Sequence, residues 1–298
     1  MAGTLYLVAT PIGNLEDISL RALRVLKEVD LVACEDTRRT RKLLSSYDIS
    51  KPTVSYHQHN ERERAVELIE KLEAGQNIAL VSDAGTPLVS DPGFHLVSEA
   101  IIREICIVPI PGPSAILAAL TASGLRAGEF TFAGFLPSRS GARRARLRDF
   151  AGARGLLIFY EAPHRIKETL LDALDVLGDR QSVIARELTK LHEDFIRGSL
   201  SDLIARSEHL TLKGEMVLLI APAVVDNKIR PVLESAGASY DAAPQLPVSI
   251  LKEVQQVMRD EGLDQKSALK RVARSRGITR SEAYRAVLRE KAETSSKP

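Results

Sequence analysis

Short apolar runs recur along this chain at Leu5 to Ala9, Leu31 to Cys34, Ile78 to Val81, Cys106 to Val108, Phe130 to Ala133, Leu156 to Tyr160, Ser182 to Ala185 and Met216 to Ile220. Most are separated by segments with apolar residues at helical intervals, such as Leu20, Leu23 and Leu26, then Ala65, Leu68, Ile69 and Leu72. Strands alternating with helices predict an α/β protein with mainly parallel pairing, because a parallel connection has room for a helix. Pro109-Ile110-Pro111-Gly112-Pro113 interrupts the alternation. Three prolines and a glycine in five residues predict a stiff hinge at a domain boundary. The expected organisation is an α/β domain over 1–112 and a second over 113–222, with a ligand cleft between them. A linker rich in Ala, Pro and Asp follows over 223–247. An all-helical domain over 248–298 ends the chain, with helices expected at Val248 to Arg259, Gln265 to Ser275 and Thr279 to Glu290.

The 298 residues and 44% hydrophobic content suit several buried cores. With 41 basic against 39 acidic residues the net charge is only +2, so any polyanionic partner must be sought in the distribution of charge. Cys34 and Cys106 have no CxxC spacing, which argues against a disulfide framework or a thiolate zinc site and for a reducing interior. No basic segment leads into an apolar core at the N-terminus, and no apolar run approaches the roughly 20 residues that span a bilayer; a cytoplasmic protein is expected. Walker A, HExxH and GxSxG patterns do not occur. The pair His57 and His59 has no obvious carboxylate partner, so no metal is expected.

The run Ile78 to Val81 leads into Ser82-Asp83-Ala84-Gly85-Thr86-Pro87-Leu88-Val89-Ser90-Asp91-Pro92-Gly93, with a helical pattern from Pro92 onward. Two carboxylates, two glycines and two prolines in twelve residues build a fixed backbone shape at the carboxyl end of a strand, where open α/β sheets bind ligands. Ser114, after the proline hinge, can cap the next helix or offer its hydroxyl to a ligand, and the first-turn amides attract a carboxylate. The turn Thr10-Pro11-Ile12-Gly13-Asn14-Leu15, followed by Glu35-Asp36, imitates a dinucleotide fingerprint. The imitation is poor: one glycine stands where three are needed, and Pro11 has no amide to give a phosphate. A strand-to-helix turn capped by Asp17 or Ser19 is the better reading.

Those turns, with Cys34 to Arg38, Pro111 to Ala115, Phe159-Tyr160-Glu161-Ala162-Pro163-His164-Arg165, Arg186 to Lys190 and Lys213-Gly214-Glu215, together resemble the tetrapyrrole methylase family. Within it the chain is similar to the branch that methylates small-subunit ribosomal RNA. The resemblance implies a two-domain α/β methyltransferase, usually dimeric, with S-adenosylmethionine in the cleft between domains. It also implies 2′-O-methylation of a cytidine ribose in the decoding region of 16S ribosomal RNA. The cofactor positions it implies are Pro11, Asp83, Ala84, Gly85, Val89, Ser114, Ala115, Tyr160 and Gly214.

A ribose hydroxyl becomes a competent nucleophile when its proton is taken or its developing charge stabilised. Glu35, Asp36, Glu161, Glu187 and Glu215 are candidate bases, and Arg38, Arg186, Lys190 and Lys213 candidate electrostatic helpers. Glu187, Lys190 and Lys213 are the preferred set. For RNA, Arg139, Arg143, Arg144, Arg146, Arg148 and Arg154 fall within sixteen residues that hold one acid, Asp149, and predict a phosphate-binding face. The tail from Gln245 has twelve basic against seven acidic residues. Ala273, Gly277, Ala283 and Leu288 stand in helix-turn-helix spacing, which would turn Arg280, Arg285 and Arg289 outward. A methylase of a tetrapyrrole, or a ligand-sensing regulator that binds nucleic acid, are the alternative readings.

Overall fold

The computed structural model describes residues 2–207 and 214–223 and, further on, Val254, Val257, Met258, 264–275 and Ala283. Its contacts divide the chain into two units, Met1–Val225 and Asp226–Pro298.

In the first unit, β1 (Thr4–Val8), β2 (Leu31–Cys34), β3 (Thr53–Ser55), β4 (Ile78–Val81) and β5 (Cys106–Ile110) form a sheet in the order β3-β2-β4-β1-β5. Every pair in it is parallel. The period-two alternation of a strand divides its buried residues between two faces. Val8, Val32, Ala79 and Val81 pack with Ala22, Val25 and Leu26 of α1 (Leu20–Glu28) and Leu44 of α2 (Thr37–Ser45). Leu5, Ala33, Ile78 and Leu80 pack with Leu68, Ile69 and Leu72 of α3 (Glu61–Glu73) and Leu96 of α4 (Phe94–Ile102). Helices on both faces explain why all four residues of β4 are buried and why its sequence reads as a continuous apolar run. The Ser19 hydroxyl caps α1 by accepting from the Ala22 amide at 3.1 Å, while Asp17 lies in a preceding 3-10 turn capped by Asn14.

The expected hinge begins later than its prolines suggest. Pro109 lies inside β5, paired in register with Leu7. An edge strand tolerates a residue without an amide.

The second sheet is formed by β6 (Phe130–Phe135), β7 (Leu156–Glu161), β8 (Gln181–Arg186), β9 (Asp194–Ser199) and β10 (Met216–Ile220), in the order β6-β7-β10-β8-β9. The second sheet departs from the parallel pairing of the first: only β6 and β7 are parallel, and β7·β10, β10·β8 and β8·β9 are antiparallel. The turn between β8 and β9 is too short for a crossover, and β10 enters between β7 and β8 against both. One face packs on α6 (Ser140–Asp149), α7 (Ile166–Leu177) and α8 (Leu200–Ser207) through Leu147, Leu170 and Leu203. The other packs on α5 (Ala115–Ala122) through Ile116, Ala119 and Leu120, and draws in Ile12 and Val89 from the first half.

In the second unit, α9 spans Gln265–Ser275. Val254, Ala268, Leu269, Val272, Ala273 and Ala283 bury one another. Gly277, Arg280, Arg285, Leu288 and Arg289 lie outside the described residues, as does most of the expected linker.

Candidate functional site

The turns after β1 and β4 are fastened to each other. Thr10 and Gly85 exchange backbone hydrogen bonds of 2.9 Å in each direction, and the Thr10 hydroxyl donates to the Ser82 carbonyl at 3.1 Å. Gly85 sits at φ +84°, a conformation that strains any residue with a Cβ. The Thr86 hydroxyl then reaches across to the Pro113 carbonyl at 3.3 Å, tying this turn to the entrance of the second half. Leu88 and Ser90 take φ values of +70° and +67°, uncommon for residues other than glycine. Such backbone persists only where its surroundings hold it. One restraint is Glu61, whose Oε1 accepts from the amides of Gly93 at 3.0 Å and His95 at 3.2 Å and from the Tyr56 hydroxyl at 3.2 Å. Burial alone would raise the Glu61 pKa, but these donors outweigh it and hold it below the usual carboxylate range.

A cavity of about 620 Å³ lies where these turns meet the second sheet. Asp83, Ala84, Gly85, Val89, Ser114 and Ala115 line its first side. Tyr160, Glu187, Lys190 and Gly214 line the other. The structure thus brings together all but one of the nine cofactor positions implied by resemblance. Pro11 is the exception; its neighbour Ile12 faces the cavity instead. Ser114 combines both roles expected of it, since it lines the cavity and its hydroxyl accepts from the Leu117 amide at 3.4 Å to cap α5. Lys213 lies outside the described residues.

Gly13 has a packing role. A Cβ there would lie 2.7 Å from Lys190 Cγ and 2.9 Å from Thr189 Oγ1, so the missing side chain lets the turn after β1 rest on the β8–β9 turn. That second turn is itself unusual, with φ +51° at Glu187 and +65° at Thr189. Lys190 Nζ donates to Glu187 Oε1 at 3.1 Å. Gly214, at φ +74°, would place a Cβ 1.7 Å from the same oxygen. Only glycine leaves the Glu187 carboxylate in its place.

The lining is acidic: Glu35, Asp83, Asp91, Glu187 and Glu215 face Arg39 and Lys190. Both cations are already engaged, Arg39 with Asp83 at 3.2 Å and Lys190 with Glu187. Burial and then Asp83 raise the Glu35 pKa. Asp91 is pushed up to about 6, by burial first and then by Glu35, with Asp83 and Glu215 adding to the effect. Burial, then Asp91 and Glu215, push Tyr160 up to about 12, so its hydroxyl is neutral at any working pH. The Tyr160 ring stands edge-on to Phe132 with centroids 4.9 Å apart and contacts Phe135 at 5.5 Å.

Asp91, Arg39 and Phe135 escaped the candidate set. Asp91 stood in full view, as the second carboxylate of the Ser82 to Gly93 turn. Two proposed bases have other duties. Asp36 caps α2 by accepting from the Arg38 amide at 2.8 Å. Glu161 is fully buried and bonds the Thr169 hydroxyl at 2.6 Å and the Ala162 amide at 2.8 Å. Arg186 is paired with Asp194 at 2.9 Å.

The arginine-rich segment requires a correction. Arg143 is 1% exposed; its Nε meets Asp172 at 2.7 Å and its guanidinium also bonds the Ser138 carbonyl at 3.2 Å. It is an internal tie between α6 and α7, closed to a phosphate. Arg144 pairs with Asp172 at 3.0 Å and Asp175 at 2.6 Å. Arg146 pairs with Asp149 at 3.1 Å and lies over the Phe150 ring. Arg139, Arg148 and Arg154 are exposed.

A parallel sheet whose strand-end turns meet a second, mixed sheet around a cavity defines a two-lobed α/β ligand-binding protein of the kind that holds its ligand between lobes. A family profile for Tetrapyrrole (Corrin/Porphyrin) Methylases matches residues 4–204. Ribosomal RNA small subunit methyltransferase I of Halalkalibacterium halodurans is 45% identical over 284 residues, covering 95% of this chain and 93% of that protein. Its namesake from Vibrio cholerae is 52% identical over 222 residues, 74% of this chain and 77% of the relative. Uroporphyrin-III C-methyl transferase from Thermus thermophilus, solved with S-adenyl homocysteine, shares the fold at 21% identity with a TM-score of 0.53, covering 73% of this chain and 97% of that one. The chain belongs to the tetrapyrrole methylase family.

Proposed function

We propose that this protein uses S-adenosylmethionine to methylate the 2′-oxygen of a cytidine ribose in the decoding region of small-subunit (16S) ribosomal RNA. One observation carries the choice of RNA over a tetrapyrrole. Likeness to the ribosomal RNA methyltransferase extends over 95% of the chain, whereas the fold shared with the uroporphyrin enzyme covers 73%. The family profile itself ends at residue 204, so the C-terminal segment lies beyond what it matches.

The cavity suits the cofactor chemically. A sulfonium and an ammonium are matched by an acidic lining in which Asp83 is the best-anchored acceptor, and a ligand carboxylate by the first-turn amides of α5. When bound, S-adenosylmethionine supplies an electrophilic methyl group and departs as a neutral thioether. Tyr160 and Phe135 wall the opposite side and exclude water. Glu187, oriented by Lys190 and the absent side chain at Gly214, fixes the turn that closes the cavity. Asp91 is the general base in this reading and takes the proton from the ribose 2′-hydroxyl, displacing the earlier preference for Glu187, Lys190 and Lys213. It faces the cavity on a strained loop held by Glu61, and a pKa near 6 leaves it ionised but basic at neutral pH. The family resemblance further suggests a homodimer acting in the cytoplasm.

Incubation with labelled cofactor and either small ribosomal subunits, free ribosomal RNA or a porphyrinogen tests the substrate. Label on a ribose 2′-oxygen is the expected result. Label on the porphyrinogen would overturn the RNA assignment, and transfer to no acceptor would favour a ligand-sensing regulator.

A further inference from the structure

Positive charge also gathers on a helix of the first sheet. α2 carries Arg38, Arg39, Arg41 and Lys42 within five residues and no acid. Thr40 and Leu44 turn inward, and all four cations are exposed. Arg39 leans back to Asp83, and Arg41 Nε donates to the Thr53 hydroxyl at 2.9 Å. Arg38 and Lys42 make no ion pair among the described residues. On α6, by contrast, three of the basic side chains are consumed by Asp172, Asp175 and Asp149.

The position of this charge is costly to the helix itself. Arg38, Arg39 and Arg41 occupy the N-terminal half of α2, where the macrodipole disfavours cations. The same end is fixed to the cavity: the Asp36 amide donates to Asp83 Oδ1 at 3.0 Å, and Arg39 meets Asp83 Oδ2. A cationic face that helix stability does not favour, anchored to the mouth of the proposed methyl-transfer cavity, matches the charge of a phosphate backbone.

We propose that the exposed face of α2, through Arg38, Arg41 and Lys42, grips the phosphates of the RNA strand beside the target nucleotide. This rests on the reading of the substrate as ribosomal RNA. Arg39 belongs to the cavity and is left out of the test.

The experiment compares wild-type protein with R38Q/R41Q/K42Q and with a charge-matched control at exposed cations outside both basic stretches, K27Q/R62Q/R126Q, on small ribosomal subunits over a range of salt. The α2 variant is expected to lower the slope of log K against log[salt] by about 0.7 to 0.9 per lost phosphate contact and to raise KM for RNA. Its cofactor affinity and thermal melting are expected to match wild type. An unchanged slope and KM, in a wild-type background that does methylate RNA, would overturn the α2 assignment and leave the RNA reading intact. Equal losses in both variants would reduce the effect to net charge and overturn it as well. Wild-type protein that neither binds nor methylates RNA would remove the parent reading.

Discussion

The two sheets share one cavity and equip it differently. In the first sheet all strands run the same way, so their carboxyl ends lie along one edge and the turns there can converge; Glu35, Asp83 and Asp91 come from the turns after β2 and β4. The second sheet is mostly antiparallel and cannot gather every turn at one edge. It contributes instead the ends of β6, β7 and β8 and the start of β10, with Phe135, Tyr160, Glu187 and Met216 at the cavity. The first lobe supplies three of the five lining carboxylates on restrained backbone. The second supplies the aromatic and apolar wall of Phe135, Tyr160 and Met216, with Glu187 and Glu215 at its margin.

The largest test of that division is Asp91→Asn. Loss of a general base is expected to slow single-turnover methyl transfer by about 10³-fold, or ~4 kcal/mol in barrier, while cofactor affinity stays within about threefold. In wild type, kcat/KM should rise with pH to a plateau, with a midpoint near 6, because the ionised carboxylate is the active form. The variant should lose that limb. Stability moves the other way. The folded pKa lies above the unfolded value, so the contribution of Asp91 is present at low pH and is lost as pH rises through about 6. Asp91→Asn should therefore melt no lower than wild type at pH 8. Retention of full rate by the variant would return the proton chemistry to the second lobe.

Next in size is Arg143→Ala, which probes the second lobe as a scaffold. Removing a buried cation leaves Asp172 in the interior without its closest partner, and the expected loss is about 3 kcal/mol of unfolding free energy. Partners beside Asp172, among them Arg144 and the Ser140 hydroxyl, keep the loss at the low end. A fully stable variant with a reduced RNA salt slope would put Arg143 back on the binding surface.

Local chemistry was legible in the sequence, and assembly was not. β2, β4 and β10 are recognisable because strands buried on both faces read as unbroken apolar runs. β3 and β9 are edge strands; β9 carries Asp194 and Arg197, and nothing in its composition announces a strand. Antiparallel pairing in the second sheet depends on β10 entering between β7 and β8, which no local pattern encodes. The turns at Asp83 to Gly85 and at Ser114 could be read because capping and glycine requirements are properties of a few adjacent residues. Asp91 could not be singled out, since its acidity is set first by burial and then by Glu35 and Glu215 from distant segments, with Asp83 of its own turn adding to them. Arg143 was misassigned for the same reason. Counting charge along sixteen residues of sequence sees the arginines, but Asp172 joins them only when α7 folds against α6.

Smaller effects separate the two walls of the cavity. Asp83→Ala removes the acceptor for the Asp36 amide and the partner of Arg39, so it is expected to weaken cofactor binding about tenfold, or ~1.4 kcal/mol. Glu35→Ala should cost less, because burial already disfavours the charge at Glu35. The reverse ranking, measured by calorimetry, would move the anchor to the turn after β2. The smallest change is expected at Tyr160→Phe. Its ring makes the edge contacts with Phe132 and Phe135, and phenylalanine keeps them. The hydroxyl, with a pKa near 12, carries no charge to lose and can neither accept a proton from the ribose nor balance a sulfonium electrostatically at pH 7 to 8. Cofactor affinity and transfer rate should both stay within about twofold, ~0.4 kcal/mol. Tyr160→Ala removes the ring as well and should weaken binding by considerably more. A hundredfold loss of rate in Tyr160→Phe would mean that the aromatic wall takes part in proton transfer, and the contrast between a chemical lobe and a shaping lobe would not survive it.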